Sequence, residues 1–204
     1  MRDCCDNDAP VQLIHANQRG TLRIVLGINA AMFAVILVAA IVGRSSALLA
    51  DSLDNLGDAL TYGLSLYDVS RSIRTKAWVA LFKGGLISLA SLTVAGQVAY
   101  RVIELTTPVF ETMGLFSGLA LVANSVCLYL LWRHRHEDVN MSSVWECSRN
   151  DIAANLAVLM AAAGVWMTDS GWPDLVVAIG LVILLLRSAW RVITSAVKEL
   201  RNAT

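Results

Sequence analysis

One apolar stretch that carries three aspartates, residues 47–67, constrains this chain most. It is long enough to cross a membrane as a helix, since a span needs about 20 mainly apolar residues. Each helical residue turns the chain by about 100°, which places Asp51, Asp54 and Asp58 within roughly 60° of one another. A carboxylate at the bilayer centre costs at least ~2.5 kcal/mol, so these side chains must face a protein interior or a water-filled path. The pattern predicts a site for a cationic ligand.

The rest of the chain is also rich in membrane-length apolar segments. Of its 204 residues, 56% are hydrophobic and 16% are charged, and the charged share is well below the ~25% usual for soluble domains. Six spans are predicted, at residues 22–42, 46–69, 78–103, 113–132, from just after 140 to 167, and 175–196. We therefore expect an all-α membrane protein with six transmembrane helices in residues 21–198. Polar tails at 1–20 and 199–204 flank this domain.

Basic residues indicate how the helices are oriented. Lys and Arg are concentrated at the two ends and in alternate loops, as Arg2, Arg19, Arg23, Arg71, Arg74, Lys76, Arg133, Arg135, Lys198 and Arg201. Loops rich in Lys and Arg stay on the cytoplasmic side. This pattern puts both termini in the cytoplasm and requires an even number of spans, as expected for a multi-pass protein of a bacterial inner membrane. The net charge is zero, which gives no reason to expect a nucleic-acid partner.

A second polar pattern opens the fifth span. Cys147 and Asp151 are four residues apart and share a helical face, and Asn155 continues that face one turn deeper. Spans two and five run in opposite directions. If they pack side by side, Asp58 is level with Cys147 and Asp54 is level with Asp151. All four then lie near the middle of the membrane and can build a tetrahedral site of the kind that suits Zn²⁺.

Further ligands and a purely structural alternative stay open at this stage. Asp51, Asn150 and Asn155 are additional candidate ligands, although a structural role for Asp51 fits the sequence equally well. An aspartate inside the membrane can also simply pair with a basic residue, here Lys83 or Arg149. Cys127 has no partner at ligand spacing and is expected to pack as a small apolar side chain.

These motifs resemble those of a known transporter family. The run from Asp51 through Asp54 to Asp58 resembles the second-helix signature of the cation diffusion facilitator family. The run from Cys147 to Asp151 resembles the family's fifth-helix His-x-x-x-Asp, with Cys in place of His. Asn29, Asn124 and the Gly-Trp-Pro-Asp turn at 171–174 also stand where the family has similar residues, and the resemblance covers residues 23–200.

The resemblance implies export of divalent metals in exchange for protons, usually by a homodimer in the lipid bilayer. Zn²⁺, Cd²⁺ or Co²⁺ is then the transported substrate, and no permanent cofactor and no enzymatic activity are expected. Two departures matter. The cytosolic domain that usually follows the sixth helix is not seen, and Cys147 replaces a histidine. A thiolate is softer than an imidazole and favours Zn²⁺ or Cd²⁺ over Mn²⁺.

Two other functions fit parts of the pattern. One is a metal-binding accessory protein of the same fold that does not transport, and the other is a proton-coupled exporter of organic cations. The second would need an aromatic-lined cavity, and Tyr62 and Tyr67 are the only aromatic residues of the acidic span. Possible metal-docking residues outside the spans are Cys4, Cys5, His134 and His136. The simpler interpretation is that the two cysteines belong to a short disordered tail and the two histidines to a basic loop that sets the topology.

Overall fold

The described residues form six α-helices joined by short connections. In the computed structural model these residues are 16–67, 73–104, 106–132 and 139–202. Within the helices, the side chains of residues 16–18, 65, 67, 73–76, 139–147 and 202 lie outside the description. The helices are α1 (Ala16–Val42), α2 (Ser46–Tyr67), α3 (Ile73–Ile103), α4 (Phe110–Trp132), α5 (Val139–Thr168) and α6 (Trp172–Asn202). The described part of the chain contains no β-strand, and the prediction of an all-α fold is confirmed.

Five of the helices, α1, α3, α4, α5 and α6, are long and apolar enough to cross a membrane. α2 is not in this group, because Asp51, Asp54 and Asp58 all lie within its 22 residues. The count of six spans and the orientation of the termini therefore stay predictions. α3 and α6 extend beyond the apolar segments predicted for them, since a helix does not have to end where its apolar part ends.

The helices pack as a closed four-helix group with a helix pair beside it. α1 contacts α2 and α4, and α5 contacts α4 and α2, which closes the four-helix group. α3 and α6 pack closely on each other, and this pair contacts the group through α2 and α5. α2 is thus the central helix, with α1, α3, α5 and α6 as neighbours. Large apolar side chains are exposed on the other five helices, but none of those described on α2 is exposed.

A polar network at one end of the bundle fixes the start of α2. This end, which we call the α1–α2 turn end, holds the connecting residues 43–45, 104, 106–109 and 169–171. The Ser45 hydroxyl accepts from the Leu48 backbone N–H at 3.0 Å and so caps α2. Asp174 of α6 accepts from the Ser45 hydroxyl at 2.6 Å and from the backbone N–H groups of Ser46 and Ala47 at 2.8 and 3.0 Å. The first turn of the aspartate-bearing helix is therefore anchored on α6.

Candidate metal site

Polar side chains of α2 point into the bundle. Asp51 is 1% exposed, Asn55 4%, Asp58 9% and Thr61 8%, while the Tyr62 side chain is fully buried. In a helix, residues three and four apart lie on one face, so these side chains form a polar stripe on the central helix. Buried apolar residues of α1 and α4 pack around Tyr62, and α2 also contacts α3, α5 and α6. The prediction that Asp51 and Asp58 face a protein interior is in agreement with this burial.

The structure brings Asp58 of α2 together with Asp151 of α5. Both residues are 9% exposed, and their side chains share a hydrogen bond. Helical side chains lean towards the N-terminus of their own helix. Because α2 and α5 run in opposite directions, the two side chains lean towards each other. The sequence predicts Asp54 as the residue level with Asp151, whereas the structure pairs Asp58 with Asp151, as this lean favours.

The pairing has a direct chemical consequence. An ionised carboxylate can only accept hydrogen bonds, so a hydrogen bond between two carboxyl groups contains a proton. The Tyr62 hydroxyl, one turn along α2, donates to Asp58 Oδ2 at 3.0 Å. Asp58 is therefore hydrogen-bonded to one phenol and one carboxyl group. A cation that binds the Asp58 carboxylate can replace both hydrogen bonds. A divalent ion that binds both carboxylates must displace the shared proton.

The remaining predicted ligands do not all converge in this conformation. Asp54 is half-buried, one turn from Asp58. Cys147 lies in α5, but its side chain is outside the described residues. Among the described side chains, no three His, Cys, Asp or Glu residues are grouped closely enough to hold a metal ion. The four-ligand set of Asp54, Asp58, Cys147 and Asp151 therefore stays a prediction, with the Asp58–Asp151 contact as its described part.

The three additional candidate ligands lie in different surroundings. Asn150 is exposed, on a different face of α5 from Asp151. Asn155 is fully buried, and neither its side-chain oxygen nor its nitrogen has a hydrogen-bond partner. Asp51 is buried with Oδ2 unpartnered, as is the Asn55 side-chain oxygen. Buried polar atoms without partners are rare in proteins. Asp51 and Asn155 thus keep free oxygen atoms inside the bundle.

One buried cation lies near the carboxylate pair. Lys83 of α3 is 6% exposed, and its ammonium group donates to the Thr61 hydroxyl of α2. Thr61 is three residues from Asp58, and the ammonium is close enough to act electrostatically on the Asp58 carboxylate. The other basic residue considered as a partner, Arg149, is exposed. The simple alternative, in which an aspartate pairs with a basic residue, therefore holds only in part for Lys83. Its ammonium group acts electrostatically on Asp58, but its hydrogen bond goes to the Thr61 hydroxyl.

Tyr62 and Cys127 contribute to this region beyond what the sequence pattern predicts. Tyr62 was seen only as an aromatic residue of the span, although its position four residues after Asp58 is the signal that it shares that face. The prediction that Cys127 packs as a small apolar side chain is confirmed, because it lies in a buried apolar cluster formed by α1, α2 and α4. It is 1% exposed, within electrostatic range of Asp58, and accepts from the Asn29 side-chain nitrogen at 3.9 Å. Nothing in the sequence around Cys127 indicates that it lies near Asp58.

The possible metal-docking residues outside the spans cannot be placed. Cys4, Cys5, His134 and His136 all lie outside the described residues.

Comparison with models of known protein families gives a match. The family model of the cation efflux transmembrane domain matches residues 22–201, which is most of the chain. No curated protein sequence matches.

Proposed function

Because the chain belongs to the cation efflux family of membrane transporters, we propose that it exports divalent metal ions of the Zn²⁺, Cd²⁺ and Co²⁺ class in exchange for protons. The observation that carries this proposal is the hydrogen bond between Asp58 and Asp151 inside the bundle. Two carboxylates from two helices offer the hard oxygen ligands and the negative charge that a divalent ion needs. The same pair holds a proton that the ion must replace.

The proposed site adds Asp54 and Cys147 to this pair. Asp54 lies one turn from Asp58 on α2, and Cys147 lies one turn from Asp151 on α5. Small movements of two helices can bring four such groups around one ion. A thiolate ligand favours Zn²⁺ and Cd²⁺ over harder ions.

Proton exchange follows from the chemistry of the pair. Metal ligands must be deprotonated, so metal affinity rises with pH and binding releases protons. The carboxyl groups act together, and no single aspartate owns the exchanged proton. In an alternating-access cycle, the site loads metal from the cytoplasm, releases it on the other side, and returns protonated. An inward proton gradient then drives export.

The proposed setting is a bacterial inner membrane, with both termini in the cytoplasm and two copies of the chain forming a homodimer. In this orientation the α1–α2 turn end faces away from the cytoplasm. Spans two and five, which carry the site, then run in opposite directions across the membrane and place it near the middle. The positive charge of the alternate loops supports this orientation.

Flux measurements on purified protein in liposomes test the proposal. A pH-sensitive dye inside the vesicles reports proton movement after addition of Zn²⁺, Cd²⁺, Co²⁺, Mn²⁺ or Mg²⁺ outside. We expect proton flux with Zn²⁺ and Cd²⁺, none with Mg²⁺, and loss of flux in Asp58→Asn, because an amide cannot release a proton. The exposed Glu111→Gln serves as the matched control, since it also exchanges a carboxylate for an amide.

The same assay separates the two alternative functions. An accessory protein binds Zn²⁺ in solution but shows no flux with any metal. An organic cation exporter shows proton flux with a lipophilic cation such as tetraphenylphosphonium and none with metals. Either result would overturn the proposed metal export.

A further inference from the structure

A lysine inside the membrane-spanning part of the bundle needs an explanation. Lys83 lies about three turns into α3, and its side chain is 6% exposed. Its ammonium group reaches across to α2, where it donates to the Thr61 hydroxyl. Thr61 itself donates to the Gly57 carbonyl at 2.7 Å, which fixes its side chain. The charge is therefore anchored on the central helix at a defined position.

A hydrogen bond to a neutral hydroxyl offsets only a small part of the free-energy cost of burying a charged ammonium group. Charged residues inside membrane spans are costly, and they almost always face functional cavities or pair with opposite charges. The Thr61 hydroxyl has no net charge to offset the ammonium. Charge compensation comes from the carboxyl side chain of Asp58, on which Lys83 acts electrostatically. The position of Lys83 thus matters for the carboxylate pair.

We propose that Lys83 is a tethered counter-cation of the Asp58–Asp151 site, and that its charge weakens metal binding enough for the ion to be released. This inference rests on the metal export proposed above. The Thr61 hydroxyl holds the ammonium beside the site and not in it, so the ammonium does not take the place of an ion between the carboxylates. When the site is empty, the ammonium compensates part of its negative charge.

The charge of the bound ion sets the direction of the effect. A divalent ion beside Asp58 is repelled by the Lys83 ammonium, and this repulsion is strong in a low-dielectric interior. Removing the ammonium should therefore tighten metal binding and slow metal release. A purely structural role predicts the opposite, because loss of a helix-to-helix tie loosens the site and weakens binding. The sign of the affinity change separates the two explanations.

Four variants isolate the charge from the contact. Lys83→Met removes the charge and keeps most of the side-chain volume, and Lys83→Gln removes the charge and keeps a hydrogen-bond donor. Lys83→Arg keeps the charge. Thr61→Val keeps the charge but removes its anchor. Lys198→Gln removes an exposed lysine from α6 and is the matched control for net charge.

Zn²⁺ and Cd²⁺ dissociation constants are measured by calorimetry in detergent, and release rates by stopped-flow mixing with a chelator. We expect Lys83→Met and Lys83→Gln to bind at least tenfold more tightly, about 1.4 kcal/mol, and to release metal correspondingly more slowly. Lys83→Arg and Lys198→Gln should stay within about threefold of wild type. Thr61→Val should change affinity less than Lys83→Met does.

The results that overturn the inference are distinct from those that overturn the proposed function. If wild-type protein binds neither metal, the proposed function is wrong. If wild type binds metal but Lys83→Met and Lys83→Gln bind equally or more weakly, Lys83 is only a structural tie to Thr61. If Lys83→Met does not fold, Lys83→Gln gives the same comparison. If neither folds while Lys83→Arg does, the charge serves the fold, and the inference fails.

Discussion

The anchor between α6 and the start of α2 gives a prediction whose size can be worked out from the contacts. Asp174 is 1% exposed and accepts three hydrogen bonds, from the Ser45 hydroxyl and from the backbone N–H groups of Ser46 and Ala47. The Arg101 guanidinium lies 3.8 Å away. We consider the replacement of Asp174 by Ala and by Asn.

Two effects set the cost of losing this carboxylate. Each hydrogen bond to a charged group contributes about 1.5–3 kcal/mol, and a buried donor left without a partner is costly. The carboxylate also stands at the N-terminus of α2, where negative charge offsets the helix dipole. Contributions of hydrogen bonds that share one acceptor group are not additive. We therefore expect Asp174→Ala to cost about 2–4 kcal/mol and Asp174→Asn about half of that.

Thermal unfolding in detergent measures the effect, with the fluorescence of the six tryptophans as the signal. At this chain length, each kcal/mol lowers the melting temperature by roughly 2–4 °C. Asp174→Ala should therefore melt at least 4 °C below wild type, with Asp174→Asn in between. Glu111→Gln removes an exposed carboxylate from the first turn of α4, where it offsets only the dipole of that helix, and should lower the melting temperature by less than Asp174→Ala does. An Asp174→Ala protein that melts within 1 °C of wild type would refute the anchoring role.

Two further predictions concern metal choice and close packing. Cys147→Ser should weaken Cd²⁺ transport most, and Cys147→His should keep transport while shifting the preference away from soft metals. Competition among metals in the liposome assay measures both effects. Unchanged metal selectivity in both variants would mean that Cys147 is not a ligand. Gly171→Ala should cost about 1–3 kcal/mol, because a Cβ there would lie 2.8 Å from the Thr106 carbonyl oxygen. Gly180→Ala meets no atom within 4 Å and should not lower the melting temperature; equal stability of the two variants would contradict the packing described at Gly171.

The sequence was most informative where periodicity and polarity act together. Three aspartates on one face of an apolar helix cannot be turned to lipid, so the interior location of Asp51 and Asp58 followed from energetic cost alone. The antiparallel course of spans two and five, with Asp151 on a shared face with Cys147, also suggested that the two acidic patterns approach each other. The contact between Asp58 and Asp151 is consistent with this reasoning.

The arrangement of the other helices could not be predicted in this way. α3 packs on α6, far from it in the chain, and this pairing brings Lys83 beside α2. Apolar faces carry little information about partners in a membrane, because lipid tails are as apolar as a helix face. The positions of Lys83 and Cys127 relative to Asp58 depend on that pairing and on the α1–α4 contact. They were therefore not visible from spacing along the chain.

Metal binding by the Asp58–Asp151 pair is the central claim, and coupled metal and proton titration tests it most directly. Zn²⁺ is added to detergent-solubilised wild type, Asp58→Asn, Asp151→Asn and Glu111→Gln at pH 6 and pH 8, and both the heat and the released protons are recorded. We predict tighter binding at pH 8 than at pH 6 and proton release on binding for wild type and Glu111→Gln, because the metal displaces protons from its ligands. Each aspartate variant should bind at least tenfold more weakly and release fewer protons. Wild-type affinity and proton release in both aspartate variants would contradict the account.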